Sequence, residues 1–451
     1  MEKMMNLWNK FSVIGNMLNL LIRNNNQSHR KSINDFYHLH SGILLILIIL
    51  GIPACKSHPP PVARKIIPGT RAQHGSRFEV FVSRLKSLPE SGRDTAVRNF
   101  IHTVPTTPVY EKDSIVSLYW YGKAKHVCIN GDLQYGWSVP DTMDAVPCGE
   151  TKFFHRTYTL PFNTRLDYQL IIDTTVSTDP RNKDITPSGF GPHSEIAMPG
   201  FYPDPVRQFR PDVPHGVICS LVFTSHDTAI KSRQVRIYIP AGYPGLSALP
   251  VLYVLDGFEA MDFMSYPVVL DNLIANRKIK PVIAVFIPPA DRYSEFMGID
   301  HKAFMNAICN ELVPLIDREY NTAREPKNRG ITGISAGAYF ALLSILSRPD
   351  VFQCGAGQST TLSDEFYDVF HSFAGKGKNR PVLHIYFDVG RFDLTSGTVN
   401  NLTFLQANEN LDRDMQQSGI NHVFHVFNDG HSWANWRERT DDILIYLFGT
   451  E

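Results

Sequence analysis

The sequence lacks the charge imbalance that is typical of proteins that bind a phosphate backbone. Lysine plus arginine and aspartate plus glutamate both number 44 in 451 residues, so the formal net charge is zero. It also lacks any run of basic residues with interleaved aromatics, which is the usual footprint of nucleic-acid binding. We therefore expect no nucleic-acid partner.

Cysteine is scarce as well. The chain has six cysteines and no C-x-x-C spacing, so the sequence predicts neither a disulfide framework nor a zinc site. One disulfide, between Cys128 and Cys148, is possible if the protein lies in an oxidising compartment.

Apolar runs long enough to span a bilayer are also lacking. The apolar run Gly42–Ala54 is too short for a spanning helix and has the size of a signal-peptide core. It ends at Cys55, and the letters IPAC resemble a bacterial lipobox. We expect residues 1–54 to be a signal peptide with a long leader, so that Met17 or another internal methionine is an alternative start. Residues 55–77 are then a tether lipid-anchored through Cys55; the alternative is a buried apolar element.

The remaining chain predicts two domains. Helically spaced apolar residues in Phe78–Phe100 indicate a helical lead-in, and short β-rich runs between 115 and 172 indicate a small β-sandwich. Thr178–Pro205 is rich in proline and glycine and is interpreted as a linker. These parts form the predicted unit 78–214.

Residues 215–451 have a different pattern of apolar residues. Compact β-branched or aromatic runs alternate with amphipathic segments, of which Phe304–Tyr320 and Leu402–Ser418 are the clearest. Nearly continuous apolar strands that alternate with helices indicate a mostly parallel sheet covered on both faces. The predicted fold class is thus α/β, preceded by a small all-β sandwich.

The stretch RGITGISAGAYFAL, residues 329–342, contains a G-x-S-x-G pattern between a short apolar segment and a helix-compatible run. This order is typical of a nucleophile elbow, in which a strained turn exposes the serine hydroxyl. The alternative is a glycine-rich turn, but the strand before Ser335 and the helix after it favour the elbow. The N–H of Ala336, which opens that helix, would face a developing oxyanion.

A serine hydroxyl needs a base, and the base needs an orienting carboxylate. In this fold class the two follow the serine in the order acid, then histidine, each after a later strand. His431 follows the last predicted strand and Asp393 follows the strand before it. Asp388 is the rival acid, but it lies within a strand. The second oxyanion donor is predicted in the loop after strand 251–255, from the N–H of either Gly257 or Phe258.

Several segments resemble the enterochelin esterase branch of the putative esterase family. They are LYVLDG at 252–257, DRYSEF at 291–296, ELVPLIDREY at 311–320, the elbow, QS at 358–359, and GHSW with WR at 430–437. Residues 127–132 with Trp137, 168–173, 179–182 and 194–199 resemble the immunoglobulin-like N-terminal domain of those esterases. The resemblance covers about residues 80–448.

The resemblance implies an α/β-hydrolase, with Ser335 and His431 matching the catalytic residues of the family. It also implies a substrate among catecholate siderophore lactones, feruloyl or acetyl groups on plant polysaccharides, and other esters. Asp393 stands where enterochelin esterases tend to have glutamate and feruloyl-type relatives aspartate, so the substrate stays open.

We therefore expect a lipid-anchored serine carboxylesterase of the cell envelope that needs no cofactor or metal and acts on a small or polysaccharide-linked ester. The alternatives are an acetyl esterase on polysaccharides, and a glycan- or siderophore-binding lipoprotein with a degenerate hydrolase domain. Trp120, Tyr135 and Trp137 are candidates to stack on an aromatic or sugar ring, unless they are buried in the sandwich. An aromatic acyl ester is the predicted preference.

Overall fold

The computed structural model of the chain describes residues 76–450. The predicted signal peptide, the lipobox with Cys55 and the tether up to residue 75 lie outside the described residues. In the part that is described, no helix combines the length and apolarity needed to cross a membrane.

Two short helices precede the first sheet, as the apolar spacing predicts. Helix α1 (Arg77–Ser87) begins at Ser76, whose hydroxyl accepts a hydrogen bond from the N–H of Glu79, and α2 (Glu90–Thr103) follows Pro89. A capping serine is an ordinary helix start, whereas Pro89 is the N-cap residue of α2 and makes no side-chain capping bond. The pair packs on the sandwich through the buried side chains of Phe78, Val82, Leu85, Val97, Tyr119 and Phe153.

The sandwich domain comprises ten strands. They are β1 (Val109–Glu111), β2 (Ile115–Gly122), β3 (Val127–Gly131), β4 (Gly136–Thr142), β5 (Asp144–Cys148), β6 (Thr151–Thr159), β7 (Arg165–Ile172), β8 (Thr175–Ser177), β9 (Ile185–Thr186) and β10 (His193–Ala197). One sheet has the order β1-β2-β6-β5, and the other has the order β4-β3-β7-β10-β9, with β8 paired to β7. In immunoglobulin lettering the first order is A-B-E-D, and β4-β3-β7-β10 of the second is C′-C-F-G. Buried side chains from both sheets form one core, so the predicted immunoglobulin-like sandwich is confirmed.

One interpretation for this domain is wrong, and one open question is answered. Thr178–Pro205 is not only a linker, because it contains β9 and β10, and β10 pairs antiparallel with β7. Strands this short, set among prolines and glycines, leave no readable alternation. Cys148 is a free thiol that donates to the carbonyl of Val146, so no bridge joins it to Cys128.

The α/β domain is built on an eight-stranded sheet with the order β11-β12-β14-β13-β15-β16-β17-β18. Its strands are β11 (Val217–Phe223), β12 (Arg233–Ile239), β13 (Val251–Leu255), β14 (Ile283–Ile287), β15 (Arg329–Ile334), β16 (Cys354–Gln358), β17 (His384–Phe392) and β18 (His422–Gly430). The pairs β11–β12 and β12–β14 are antiparallel, and every later pair is parallel. The predicted mostly parallel sheet is confirmed.

Helices cover both faces of this sheet. They are α3 (Gly257–Met264), α4 (Tyr266–Ala275), α5 (Arg292–Phe296), α6 (His301–Ala307), α7 (Val313–Glu319), α8 (Ala336–Ser347), α9 (Asp364–Ala374), α10 (Phe404–Gln417), α11 (Trp433–Arg437) and α12 (Thr440–Phe448). Helices α5 to α10 contribute to the core on one face, and α3, α4, α11 and α12 contribute to the core on the other. Because the parallel strands all point the same way, the loops after β13, β14, β15, β16, β17 and β18 meet at one edge.

The predicted helix Phe304–Tyr320 is present with one irregularity. A π-helical turn, Ile308–Leu312, lies between α6 and α7. Pro314 in the first turn of α7 has no N–H to donate to the preceding turn, which accounts for the interruption. Phe304, Ile308, Leu312 and Ile316 are buried in the core as their spacing predicts.

Candidate active site

Ser335 occupies the sharp turn between β15 and α8. Its backbone has φ 52° and ψ −116°, a left-handed value that a serine rarely adopts. A Cβ at Gly333 would overlap the backbone of Gly337, so the strand and the helix approach this closely only because residue 333 is glycine. The N–H of Ser335 donates to the carbonyl of Gln358 at 2.8 Å. The predicted elbow geometry is therefore present.

The structure brings the three residues predicted as a triad into one hydrogen-bonded line. Nε2 of His431 lies 3.1 Å from Oγ of Ser335, and Nδ1 of His431 lies 2.7 Å from Oδ1 of Asp393. His431 follows β18, and Asp393 directly follows β17. Each partner thus comes from a loop at the carboxyl edge of the sheet.

The electrostatics of Asp393 favour its charged form. Burial by itself would raise the pKa of this carboxyl, because charge is poorly solvated in the interior. The His431 ring, together with hydrogen bonds from His431, Ser359 and the N–H of Leu394, outweighs burial and lowers the pKa below its ordinary value. Asp393 is therefore an anion positioned to hold an N–H at Nδ1 of His431.

The rival carboxylate, Asp388, lies inside β17 and away from the histidine. Its Oδ1 lies 3.0 Å from the guanidinium of Arg439, which also pairs with Asp429. Arg439 and Asp388 are almost fully buried. Burial raises the pKa of Asp388 to about 7 although Arg439 opposes that shift. Asp388 thus belongs to an ion cluster below the edge of the sheet.

Ala336, Gly257 and Phe258, the predicted oxyanion donors, lie in the first turns of two helices. Ala336 opens α8 and Gly257 opens α3, and N–H groups in a first turn have no intrahelical acceptor. A Cβ at Gly257 would overlap the backbone of Ile287, so only glycine fits beside β14. The choice between Gly257 and Phe258 stays open.

Asp256, the residue before this turn, is held by an ion pair. Asp256 adopts a left-handed conformation with φ 49°. Its carboxylate binds the guanidinium of Arg292 at 2.7 and 2.8 Å, and Arg292 also donates to the carbonyl of Ile334 at 3.2 Å. Arg292 therefore joins the turn at α3 to the end of β15, directly before Ser335. Pairing of this arginine with Asp256 has no local sequence signal.

Two aromatic rings pack against the histidine, and one of them contacts a serine beside Asp393. Phe404 and Trp436 both pack edge-on against the His431 ring, with centroids at 5.2 and 4.8 Å. Nε1 of Trp436 donates to Oγ of Ser359 at 2.9 Å, and the Ser359 hydroxyl in turn contributes to the low pKa of Asp393. Residues 358–359 and 436–437 are part of the family resemblance, but their contacts could not be predicted from it.

The sandwich domain reaches this site directly. Asp132, which follows β3, accepts a hydrogen bond from the backbone N–H of His431 at 3.2 Å. Gly189, in the loop between β9 and β10, lies against Phe263 and Trp433. Across residues 76–450, no group of three or more His, Cys, Asp or Glu side chains is arranged to hold a metal ion.

The three aromatics considered as stacking platforms pack on the protein itself. Trp120, Tyr135 and Trp137 are all half-buried. Trp120 packs on Phe154, Tyr135 stacks on Phe392 at 5.5 Å, and Trp137 stacks on His193 at 4.2 Å. These contacts favour the structural interpretation, although Tyr135 lies beside the strand end that precedes Asp393.

Known sequences match the part of the chain that contains the predicted triad. Residues 228–447 match the family described as Putative esterase. An endo-1,4-beta-xylanase/feruloyl esterase of Xylanibacter ruminicola is 32% identical over 202 residues, which are 41% of this chain and 27% of that protein. An uncharacterized protein of Bacillus subtilis, YjcH, is 24% identical over 216 residues, covering 46% of this chain and 88% of that protein. The chain thus spans only about a quarter of the length of the xylanase/feruloyl esterase.

Solved structures extend the likeness to both domains. The ferric enterobactin esterase of Salmonella typhimurium has a TM-score of 0.62 at 18% identity and covers 78% of this chain and 98% of its own. The enterobactin esterase of Shigella flexneri has a TM-score of 0.61 at 20% identity, covering 75% and 94%. At these identities the likeness shows the fold, an α/β-hydrolase domain behind an all-β domain. The sequence match to the putative esterase family thus covers residues 228–447, and the solved structures show that the fold extends to both domains.

Proposed function

We propose that this protein is a serine carboxylic ester hydrolase with Ser335, His431 and Asp393 as its catalytic residues. The observation that carries the proposal is the hydrogen-bonded line from Asp393 through His431 to a serine in a strained elbow. The esterase family match and the feruloyl and enterobactin esterases among the similar proteins support the same reaction class.

The mechanism follows from this arrangement. Nε2 of His431 takes the proton from Ser335 as Oγ attacks the ester carbonyl, and Asp393 stabilises the resulting imidazolium through Nδ1–H. The N–H groups of Ala336 and of Gly257 or Phe258 stabilise the oxyanion. His431 then returns the proton to the leaving alcohol, which leaves an acyl-enzyme. In the second half-reaction His431 activates water, which releases the acid and regenerates the hydroxyl of Ser335.

A fluorophosphonate probe tests the reaction class, because it phosphonylates a serine only when a base activates it. We expect the probe to label the wild-type chain and an exposed-helix control, Ser372→Ala, and to leave Ser335→Ala unlabelled. A folded wild-type protein that takes up no label would contradict the proposal and favour a binding protein with a degenerate hydrolase domain.

For the substrate, we propose an ester with an aromatic acyl group, such as a feruloyl or catecholate ester. Aromatic side chains near the histidine support this preference. Trp433 and Trp436 are buried and form the wall behind the site, and Trp433 packs on the half-buried Phe263, with ring centroids at 5.6 Å in both pairs. Phe190, next to Gly189 in the sandwich loop, is 74% exposed. Rings of this kind provide large apolar contact at low entropic cost.

The substrate proposal is tested by kcat/KM on a panel of methyl ferulate, ferric enterobactin, acetylated xylan and p-nitrophenyl acetate. An aromatic ester should lead the panel, and Phe190→Ala should lower that lead without changing the rate on p-nitrophenyl acetate. If acetyl esters lead, the protein is better described as an acetyl esterase.

We also propose that the protein is anchored in the cell envelope by lipidation of Cys55. The apolar run before Cys55 and the letters IPAC support this proposal. Mass spectrometry of the mature amino terminus tests it, because it shows whether the chain is cleaved before Cys55 and whether Cys55 is lipidated. Cys55→Ala should release soluble protein. A mature chain that retains residues 43–50 without modification would contradict the processing.

A further inference from the structure

The contact between the sandwich domain and the catalytic loop is centred on one buried carboxylate. Asp132 is completely buried and accepts four hydrogen bonds. Its Oδ1 accepts from the backbone N–H of His431 and from Nε1 of Trp137, both at 3.2 Å. Its Oδ2 accepts from the N–H of Asp167 and from Nδ2 of Asn435, both at 2.9 Å. Two of the four donors therefore belong to the α/β domain, in the loop and helix that follow β18.

The fit of this carboxylate explains a glycine in the catalytic loop. A Cβ at Gly430 would overlap Cβ and Cγ of Asp132. The side chain from the sandwich thus lies directly on the backbone just before His431, at a distance that only glycine permits. Asp132 therefore fixes the backbone of residues 430 and 431 in two ways, by packing on Gly430 and by accepting a hydrogen bond from the N–H of His431.

Asn435, in α11, is held from its other side as well. Arg165 donates to Oδ1 of Asn435 at 2.8 Å and is itself paired with Asp167 and Glu195, both at 2.6 Å. Arg165 and Asn435 are almost fully buried. The amide of Asn435 is therefore fixed at both ends by side chains of the sandwich, and the helix after the catalytic loop cannot turn without breaking buried polar contacts.

We propose that Asp132 is a positioning residue of the esterase centre, acting from the other domain. Its carboxylate fixes the backbone of His431 and the start of α11, so that Nε2 stays in hydrogen-bond range of Ser335. The inference rests on the proposed function, because positioning has a kinetic effect only if His431 is the base. It assigns to the sandwich domain a part in the rate of the reaction, separate from any part in substrate choice.

The test compares two isosteric substitutions in the sandwich. Asp132→Asn keeps the shape but places an amide donor against groups that are all donors. Asp141→Asn is the matched control, because Asp141 accepts from Arg156 at 2.8 and 3.0 Å and from Tyr158 at 2.9 Å, with no bond to the catalytic loop among them. Both variants lose a half-buried or buried carboxylate in the same domain.

The kinetic readout is kcat and KM on p-nitrophenyl acetate, with kcat expressed per site titrated by fluorophosphonate. A displaced histidine costs up to about a hundredfold in rate. We expect Asp132→Asn to lower kcat per titrated site by roughly ten- to a hundredfold with KM within about twofold, and Asp141→Asn to leave both unchanged. A role limited to folding would instead lower the number of titrated sites and leave kcat per site intact, which would overturn the proposal.

A milder variant keeps the proposal testable if Asp132→Asn does not fold. Trp137→Phe removes one donor to Oδ1 of Asp132 and keeps a ring beside His193, so kcat per site should fall in the same direction by a smaller factor. Unchanged kcat per site in this variant would then count against positioning.

Hydrogen exchange separates failure of this inference from failure of the proposed function. If the wild-type chain neither hydrolyses esters nor takes up the probe, the esterase proposal fails. The positioning contact is still measured by amide exchange of residues 430–436, which should be faster in Asp132→Asn than in Asp141→Asn. Equal exchange in the two variants would overturn the inference whatever the activity.

Discussion

The end of β17 and the interior of the same strand each hold a buried aspartate, and the two have opposite electrostatic behaviour. Asp393, just past the strand end, faces the His431 ring, and its pKa is lowered. Asp388, within the strand, faces Arg439 and Asp429, and its pKa is raised to about 7. Both are at most 3% exposed, so burial alone does not decide the sign of the shift.

The difference lies in the partners that each position can reach. A side chain at the carboxyl end of a parallel strand meets the loops of neighbouring strands, where donors and a titratable ring are available. A side chain inside the strand meets the helix packed on that face, here through Arg439, which must also neutralise Asp429. These contacts support our proposal that the first carboxylate serves catalysis, whereas the second joins β17 and β18 to the start of α12 through Arg439.

The largest expected effect is on turnover and separates the two aspartates. Asp393→Asn should lower kcat by about ten-thousandfold, because an amide no longer holds an N–H at Nδ1 of His431. Asp388→Asn should keep kcat within about tenfold, and adding Asp393→Asn to Ser335→Ala should cost little more than Ser335→Ala alone. Steady-state hydrolysis of an aryl ester measures both. Loss of turnover in Asp388→Asn alone would reverse the assignment of the acid.

The next effect is on stability and belongs to the interior cluster. Arg439→Met removes the cation between two buried carboxylates, and breaking a buried pair this way costs about 3–5 kcal/mol of unfolding free energy. The control is Arg98→Gln, since Arg98 and Asp94 form an exposed pair within α2, where solvent screens the charges and we expect no measurable loss of stability. Urea unfolding measures both changes. Similar losses in the two variants would mean that the interior cluster adds no stability.

A smaller effect is the pH dependence of stability, whose sign differs between the two aspartates. Because the folded pKa of Asp388 is above its unfolded value, its contribution is full below about pH 4 and is lost as pH rises toward about 7, by at most about 1.4 kcal/mol per pH unit. Asp393, with a lowered folded pKa, contributes stability at pH values above its unfolded pKa and loses that contribution in acid.

Asp388→Asn should therefore flatten the fall in stability between pH 4 and pH 7. Asp132 and Asp441, with pKa values raised to about 7 and about 6, keep part of the slope. An unchanged slope, measured by urea unfolding across that range, would contradict the pKa given for Asp388.

The sequence predicts the parts of this site that follow from local pattern. Ser335 is found because a strand, two glycines and a helix are contiguous, and Asp393 is preferred to Asp388 because it follows a strand instead of lying inside one. Such features depend on a few neighbouring residues. The fold class follows in the same way, because short β-rich runs in the first domain give way to strands that alternate with amphipathic helices in the second.

Other parts could not be predicted because their physical cause is not local. Strand β16 reads CGAGQ, with no β-branched residue, and forms because buried neighbours on both sides supply its hydrogen bonds. Strand β10 is short, and its pairing with β7 fixes it. Asp132 and His431 are far apart in the chain, and no spacing predicts that bond. The sequence shows a glycine at position 430, but it does not show that the side chain of Asp132 is the reason that only glycine fits there.

The smallest expected effect concerns the hydroxyl behind Asp393. Trp436→Phe keeps an aromatic edge against His431 and removes the Nε1–H that donates to Oγ of Ser359 at 2.9 Å. Loss of one buried hydrogen bond costs roughly 1 kcal/mol. If that bond orients the Ser359 hydroxyl toward Asp393, kcat should fall about fivefold with KM unchanged. Ser359→Ala should lower kcat to a similar degree, and the double variant should be no slower than the slower single one, because both changes remove one line of contacts. A change in KM with kcat intact would instead indicate that Trp436 acts on the bound ester.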